Sequence, residues 1–514
     1  MTEDQPANPR ADRRRSAGLL VHPSCFPGRF GIGDIGPVSV EFLDWAHAAD
    51  QTVWQILPLG PPGFGESPYA SLSAFAGNPL LISPEWLAED GLLSDSDLRT
   101  VPSFPIEKVD FQAVRRWKDQ MLRKAWAAFS SSAEGLKREL QSFEADPLHQ
   151  SWLEGWALFA ALSHRHGSWA WSQWPRALAM HEEEACRNAA RELSGEVAFH
   201  RFAQFIFFRQ WNRVRSAARQ RGIEIIGDIP IYMAYDSADV WSRPELFQLD
   251  PDRKPVAVSG VPPDYFSTTG QLWGNPLYRW DRMKETGYQW WMQRIESNLR
   301  MADRIRIDHF RAFAAYWKVP AGSETAEGGS WEPGPGLDFF RVAQERFGSL
   351  PLIAEDLGLI TEDVEELRLT AGLPGMKVLQ FAFGETDSPY LPHRHERETV
   401  VYTGTHDNDT TESWFASLAD AERQLFFEYL GDDSLRPSWK MIRAAYESVA
   451  TCAVIPLQDV FSLGAQARMN TPGKPEENWS YRFPAGLFDG ETVQRLRRLV
   501  EIAGRTGVDR RVEN

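Results

Sequence analysis

Three acids close three short apolar runs. Asp308 ends Arg304-Ile-Arg306-Ile-Asp308-His309, Glu355 follows Pro351-Leu-Ile-Ala354, and Asp407 follows Val400-Val-Tyr-Thr-Gly-Thr-His406. Groups at the C-terminal ends of barrel strands reach one common mouth, so the three can meet despite long sequence gaps. Each alone is equally well explained by helix capping or contact with solvent; the joint pattern points to a catalytic site. Two carboxylates of opposed pKa, one ionised nucleophile and one protonated acid, are what retaining chemistry at a glycosidic bond needs. Arg306 suits the ionised member. Residues i and i+2 of a strand face the same side, and a nearby guanidinium keeps a carboxylate charged. A buried ion pair with no catalytic part has the same signature.

Strands must carry these acids. Runs rich in β-branched residues lie at 18–22, 53–59, 223–231, 304–308, 351–356, 376–383, 399–404 and 452–458. Several are near-continuously apolar, as strands covered on both faces are. Helical patterns such as 37–50 and 361–369 separate them. The expected fold class is α/β, a (β/α)8 TIM barrel with large, mostly helical insertions. Residues 60–222, between strands two and three, read as a mostly helical subdomain. Apolar residues recur there at three- and four-residue spacing over 110–130, 147–164 and 178–220. Residues 232–300, between strands three and four, are rich in Pro, Gly, Tyr and Trp and read as loop-rich. The chain 1–514 is expected to be one catalytic barrel enlarged by both insertions.

The chain has 514 residues, with 71 acidic and 55 basic side chains and a net charge of −16. That balance argues against nucleic acid and against anionic membrane surfaces. Cys25, Cys186 and Cys452 form neither a disulfide framework nor a zinc pattern. The basic run Arg13-Arg14-Arg15 is followed only by Leu19-Leu20-Val21, too short for a signal peptide. No apolar run approaches the ~20 residues that span a bilayer. A cytoplasmic location is expected. The unusual count is 21 Trp. Indoles stack on the apolar faces of sugars, and they also pack cores. Of those in the helical insertion, seven (117, 126, 152, 156, 169, 171 and 174) are expected to be packing, or an outer glucan surface.

Three motifs read better as structure. Gly31-Ile-Gly33-Asp-Ile-Gly36 matches a dinucleotide fingerprint, but eight residues separate it from the preceding strand, and the next strand ends Leu57-Pro58-Leu59 without the required acid. A turn before a helix is expected. His393-Arg-His395 has metallohydrolase spacing but sits in a polar loop. Asp407 to Glu412 resembles a calcium loop but has Glu412 where the glycine belongs.

Longer motifs run through the whole chain: Ser67-Pro-Tyr69-Ala-Ser-Leu-Ser-Ala-Phe-Ala-Gly-Asn78-Pro, Gly227-Asp228-Ile-Pro-Ile, Pro262-Pro-Asp-Tyr-Phe-Ser267 and Gly270-Gln-Leu-Trp273-Gly-Asn275-Pro. Arg306-Ile-Asp308-His309-Phe-Arg311, Ala354-Glu355-Asp356-Leu-Gly358, Met376 to Phe383, Gly404-Thr-His406-Asp407-Asn408 and Arg468-Met-Asn470-Thr-Pro472 follow. With these motifs the sequence resembles the amylomaltases, the 4-α-glucanotransferases of glycoside hydrolase family 77, related to the α-amylase superfamily. The resemblance implies Asp308 as nucleophile, Glu355 as general acid/base and Asp407 as the third carboxylate, on the sugar's 2- and 3-hydroxyls. Arg306, His309 and His406 would line the same subsite and Tyr69 would stack under the sugar. Asp236, Trp273, Asn275 and Asn470 would be further substrate contacts. It implies no metal and no cofactor, and α-1,4-glucans and maltooligosaccharides as substrates with glucose as an acceptor. A retaining α-glucan hydrolase would use the same intermediate, with water in place of the acceptor sugar. Ala312, Ser413 and Glu477 stand where the resemblance expects glycines.

Overall fold

The computed structural model describes residues 15–131, 134–263, 267–432, 434–474 and 477–506. Arg13, Arg14, the tail 507–514 and Asp264, Tyr265 and Phe266 of the Pro262–Ser267 motif lie outside the described residues. In chain order the strands are β1 (Ser16–Leu20), β2 (Val53–Gln55), β3 (Glu224–Ile229), β4 (Ala257–Val261), β5 (Gln271–Pro276) and β6 (Arg304–Ile307). Then come β7 (Ala315–Pro320), β8 (Ser330–Pro333), β9 (Leu352–Ala354), β10 (Gly375–Val378), β11 (Thr399–Tyr402) and β12 (Cys452–Pro456).

Eight of these form one parallel sheet in the order β10-β11-β12-β1-β2-β3-β6-β9. They are the eight strands expected from the apolar runs, and the fold is the expected α/β barrel. Its two end strands meet where the Ala354 N–H donates to the Pro374 carbonyl at 2.9 Å. Asp356 reinforces this seam. It accepts from the Met376 N–H at 2.6 Å and pairs with Arg368 Nε at 3.1 Å. The acid beside Glu355 is thus a structural tie that fixes the end of β9.

Between β2 and β3 the chain is helical, with the longest helices at Phe111–Ser130 and Ser194–Gln220. Trp117, Trp152, Trp156, Trp171 and Trp174 are buried there, and Trp126 and Trp169 pack against the same core. They are packing rather than an outer glucan surface.

The stretch 232–300 differs from its loop-rich reading. It holds β4, β5 and the helices Ala238–Ser242, Trp280–Glu285 and Gln289–Met301. A second sheet, antiparallel and ordered β5-β4-β7-β8, draws half its strands from this stretch and half from the segment after β6. Pairing between such distant and polar segments leaves no local period to read.

The glycine motif is close packing. A Cβ on Gly33 would collide with the Pro23 carbonyl and the Phe26 backbone, and one on Gly36 with the Ser83 side chain. Pro37 then opens the helix Pro37–Ala48, the first-turn position proline favours. At His393 and His395 the two rings go separate ways, to the Tyr429 hydroxyl and the Tyr390 carbonyl. Asp409 accepts from Ser413 Oγ and from the N–H of Thr410, the N-cap of the helix Thr411–Ser417. The Gly33→Ala variant is expected to lose about 1–3 kcal/mol of stability through overpacking against immobile backbone; urea unfolding measures it.

Candidate active site

The site is built on Arg306. Strand β6 lies beside β3 with Arg306 directly opposite Asp228. The guanidinium nitrogen Nη1 donates to both Asp228 oxygens, at 2.9 and 2.8 Å, while Nη2 reaches Asp308 Oδ1 at 2.9 Å. Arg306 and Asp228 are each 3 % exposed. A charge this deep is tolerable only when paired and hydrogen-bonded. Burial opposes the charge on Arg306, but Asp228 and Asp308 outweigh it and hold the arginine well above its usual value. Burial pushes Asp228 up to about 6, with Arg306 limiting the rise, so the pair stays ionic at neutral pH.

Glu355 follows β9, the next strand round. Its two oxygens accept from the His309 and Leu357 N–H groups, at 2.7 and 2.8 Å. The first of these donors follows Asp308, so the chain itself sets one acid against the other. Burial is the main force on Glu355. It and the Asp308 charge, against Arg306 and the two backbone donors, push the carboxyl up to about 7. Glu355 is therefore held nearer its neutral form than an ordinary carboxyl, which is what a proton donor needs.

Asp407 lies in the loop that follows β11, its side chain still 44 % exposed. It meets His406 Nε2 at 3.3 Å and accepts from Asn470 Nδ2 at 2.6 Å. Crowding opposes its charge, but His406 and Asn470 outweigh this and hold the carboxyl far below the usual range. In return Asp407 raises His406 against the effect of burial. Arg468 fixes the same loop by donating to the Asp407 carbonyl at 2.9 Å.

Tyr69 joins the two halves. Its hydroxyl donates to Asp228 Oδ2 at 2.8 Å, and its ring stacks on His406 with centroids 4.8 Å apart and planes 16° apart. His309 has a left-handed backbone, φ 51°, and its buried Nε2 has no hydrogen-bond partner. Burial lowers this imidazole to about 3, which keeps it neutral. Trp273, on β5, meets the ring edge-on at 4.7 Å.

The structure thus connects Tyr69, Trp273, Arg306, Asp308, His309, Glu355, His406, Asp407 and Asn470. Asn275 lies two residues from Trp273 on β5, on the same side of the strand. Asp236 sits in the loop after β3, and burial raises its carboxyl. Neither hydrogen-bonds to this cluster among the described residues. Of the three positions where glycines were expected, only Glu477 has positive φ, 64°. The left-handed backbone costs a residue with a Cβ about 1–2 kcal/mol.

Sequence reasoning left three contributors out of the site. Asp228 is an acid inside a strand that is apolar beyond its exposed first residue, Glu224, and that signals a buried partner. Trp479 packs 5.8 Å from both Tyr69 and His406. Buried Asp459 accepts from Thr403 Oγ1 at 2.5 Å and from the Thr411 N–H and Oγ1 at 2.8 and 2.7 Å. It pins both ends of the loop that carries His406 and Asp407. Among the described residues no group of three or more His, Cys, Asp or Glu side chains is arranged to hold a metal ion.

The family model described as 4-alpha-glucanotransferase of glycoside hydrolase family 77 matches residues 21–487. A 4-alpha-glucanotransferase of Synechocystis is 46 % identical over 499 residues, covering 96 % of this chain and 98 % of its own. That of Thermus thermophilus is 46 % identical over 501 residues, covering 96 % and 99 %. The amylomaltase of Streptococcus agalactiae, solved in complex with acarbose, superposes with a TM-score of 0.93 at 37 % identity, covering 96 % of this chain and all of that one.

The raised Glu355 has a consequence for stability. Its folded pKa, about 7, lies above the ordinary 4.5. The folded state therefore keeps this proton when the unfolded chain has lost it, and stability falls as pH rises from 4.5 through 7. Glu355→Gln removes the penalty. The variant is expected to be more stable than the parent by about 1–3 kcal/mol at pH 8 and by nearly nothing below pH 4.5. Urea unfolding at the two pH values measures the difference.

Proposed function

The chain belongs to the 4-alpha-glucanotransferases of glycoside hydrolase family 77, and from that premise we propose how its own residues carry the reaction. The catalytic unit is one barrel, 1–514, enlarged by the 60–222 and 232–300 insertions. The substrates are α-1,4-glucans and maltooligosaccharides. The Asp308 carboxylate attacks the anomeric carbon while Glu355 gives its proton to the departing 4-oxygen. The carbon–oxygen bond breaks and a β-linked glycosyl ester forms on Asp308. The 4-hydroxyl of glucose or of another glucan then attacks the same carbon. Glu355 takes its proton, the ester bond breaks and the α-linkage is restored.

One observation carries this assignment. Arg306 engages Asp308 at 2.9 Å while the neighbouring Glu355 is held near 7. The same cluster thus sets an arginine-paired carboxyl beside one that burial holds toward its protonated form. Asp407, with Asn470 and His406, holds hydroxyls of the reacting sugar. Tyr69, one face against His406, offers the other to the ring, and His309 gives a neutral nitrogen. Trp273 and Asn275 line the acceptor side, and Asp236 is a more distant contact. The reaction calls for no metal or organic cofactor. No helix among the described residues is long and apolar enough to cross a membrane, and all three cysteines are free and buried. Both fit a cytoplasmic enzyme acting on a neutral glucan rather than on nucleic acid or a membrane.

Maltotriose tests the proposal. Transfer yields glucose and longer chains with the number of reducing ends unchanged, whereas a rise in reducing ends would make the protein a hydrolase. Asp308→Asn is expected to lower turnover by about four orders of magnitude or more, with an unchanged circular dichroism spectrum. Substantial remaining activity would remove Asp308 from the nucleophile role.

A further inference from the structure

The tryptophan count first raised the question of sugar faces, and the structure buries most of those rings. Trp331 is the exception: at 38 % it is the one tryptophan among the exposed large hydrophobic side chains of the described residues. It stands on β8, the edge strand of the small sheet. One face of its ring is covered by the Arg311 guanidinium, 3.9 Å from the centroid. Its edge meets Trp317, directly opposite on β7, with centroids 5.1 Å apart and planes at 66°. Trp317 is in turn fixed by a 2.8 Å hydrogen bond to the Ala326 carbonyl and by Gly329, where a Cβ would strike the indole. Arg311 is only 7 % exposed and donates to the Leu359 carbonyl. The ring is therefore held at one face and one edge, with 38 % of the residue left exposed.

The position of this ring is informative. Arg311 is two residues from His309, and Leu359 is in the loop that starts at Glu355. Trp331 is thus anchored to the loop of the proton donor, the side on which a leaving chain departs and an acceptor arrives. The occupant must suit a flat apolar face on a chain of net charge −16. A neutral α-glucan does, through the apolar faces of its sugar rings, and an acidic partner does not.

We propose that Trp331 is a stacking platform for an α-glucan chain outside the catalytic cleft, on the acceptor side. It would favour long substrates over short ones. The inference rests on the glucan specificity proposed above. Across the sheet, paired residues share a face, and Leu272, Gly260, Trp317 and Trp331 form one such row. Trp273 alternates with Leu272 and so faces the other way, toward His309. The platform is therefore separate from the cleft-lining tryptophan.

The test compares the parent with Trp331→Ala, Trp331→Leu and Trp331→Phe. Native gels containing amylose read binding, and the ratio of kcat/KM on amylose to that on maltotriose reads selectivity. Trp331→Ala and Trp331→Leu are expected to weaken retardation and to lower the ratio by roughly three- to ten-fold, the contribution of one aromatic platform. Trp331→Phe keeps a flat ring and should recover most of both. Leu369→Ala, an exposed apolar residue on the helix Glu362–Thr370, should leave both unchanged. An unaltered ratio with unaltered retardation would overturn the proposal, as would equal loss from the phenylalanine and leucine variants. Concentration-dependent self-association that vanishes in Trp331→Ala would also overturn it, by assigning the ring to a contact between copies. Failure of the parent to rearrange maltotriose would instead remove the glucan reading itself.

Discussion

A single buried guanidinium organises this molecule's chemistry. Arg306 cannot be charged in the barrel interior without partners, and β3 and β6 supply them in a way the strand period dictates. Asp228 lies opposite it on the neighbouring strand, and Asp308 lies two residues ahead on its own. One positive and two negative charges leave the cluster with an excess negative charge. Glu355, brought beside it by the next strand, can ionise only by adding another in a desolvated place. Its high pKa follows mainly from burial, with the Asp308 charge adding to the rise and Arg306 opposing it. The excess also suits the positive charge that develops on a sugar ring as a glycosidic bond breaks.

A second pair works in the opposite sense. His406 and Asp407 each favour the other's charged form, so Asp407 is held toward its charged form where Glu355 resists charge. The parts of the chain that hold this pair come from far apart. Tyr69 stacks on His406 from the loop after β2, Asn470 and Arg468 arrive from beyond β12, and Asp459 ties down the loop's two ends. None of these is a barrel strand. The strands fix Asp308 and Glu355, and the longer connections fix Asp407 and His406.

This division explains what the sequence could disclose. The eight barrel strands are short and nearly all apolar because both faces are covered, so composition reveals them, and the acids at their ends stand out by contrast. The small sheet could not be read the same way. Gln271-Leu-Trp-Gly-Asn-Pro276 alternates imperfectly, and the register between β4 and β5 shifts at Val258 to Gly260. Its partners lie on either side of β6. Asp228 was visible as an acid in an apolar strand, but its role depends on which strand comes next to β3, and an intervening insertion hides that. Trp479 carries no local signal at all. Its place against Tyr69 is set by a loop with two left-handed residues, Glu477 and Trp479, neither of them glycine.

The two pKa directions also show where stability has been given up. Lowered Asp407 contributes stability at neutral pH, because its charged form is better held in the folded state than in the unfolded one. Raised Glu355 and Asp228 do the reverse: folding strips them of water that their partners only partly replace. Apolar side chains of similar size would often fold as well or better in their place. A protein selected for stability alone has no reason to keep three acids and one arginine at the centre of its barrel. Electrostatic strain concentrated at one mouth, in an interior otherwise packed with Val, Ile, Leu and aromatic rings, marks the place where the fold serves a reaction.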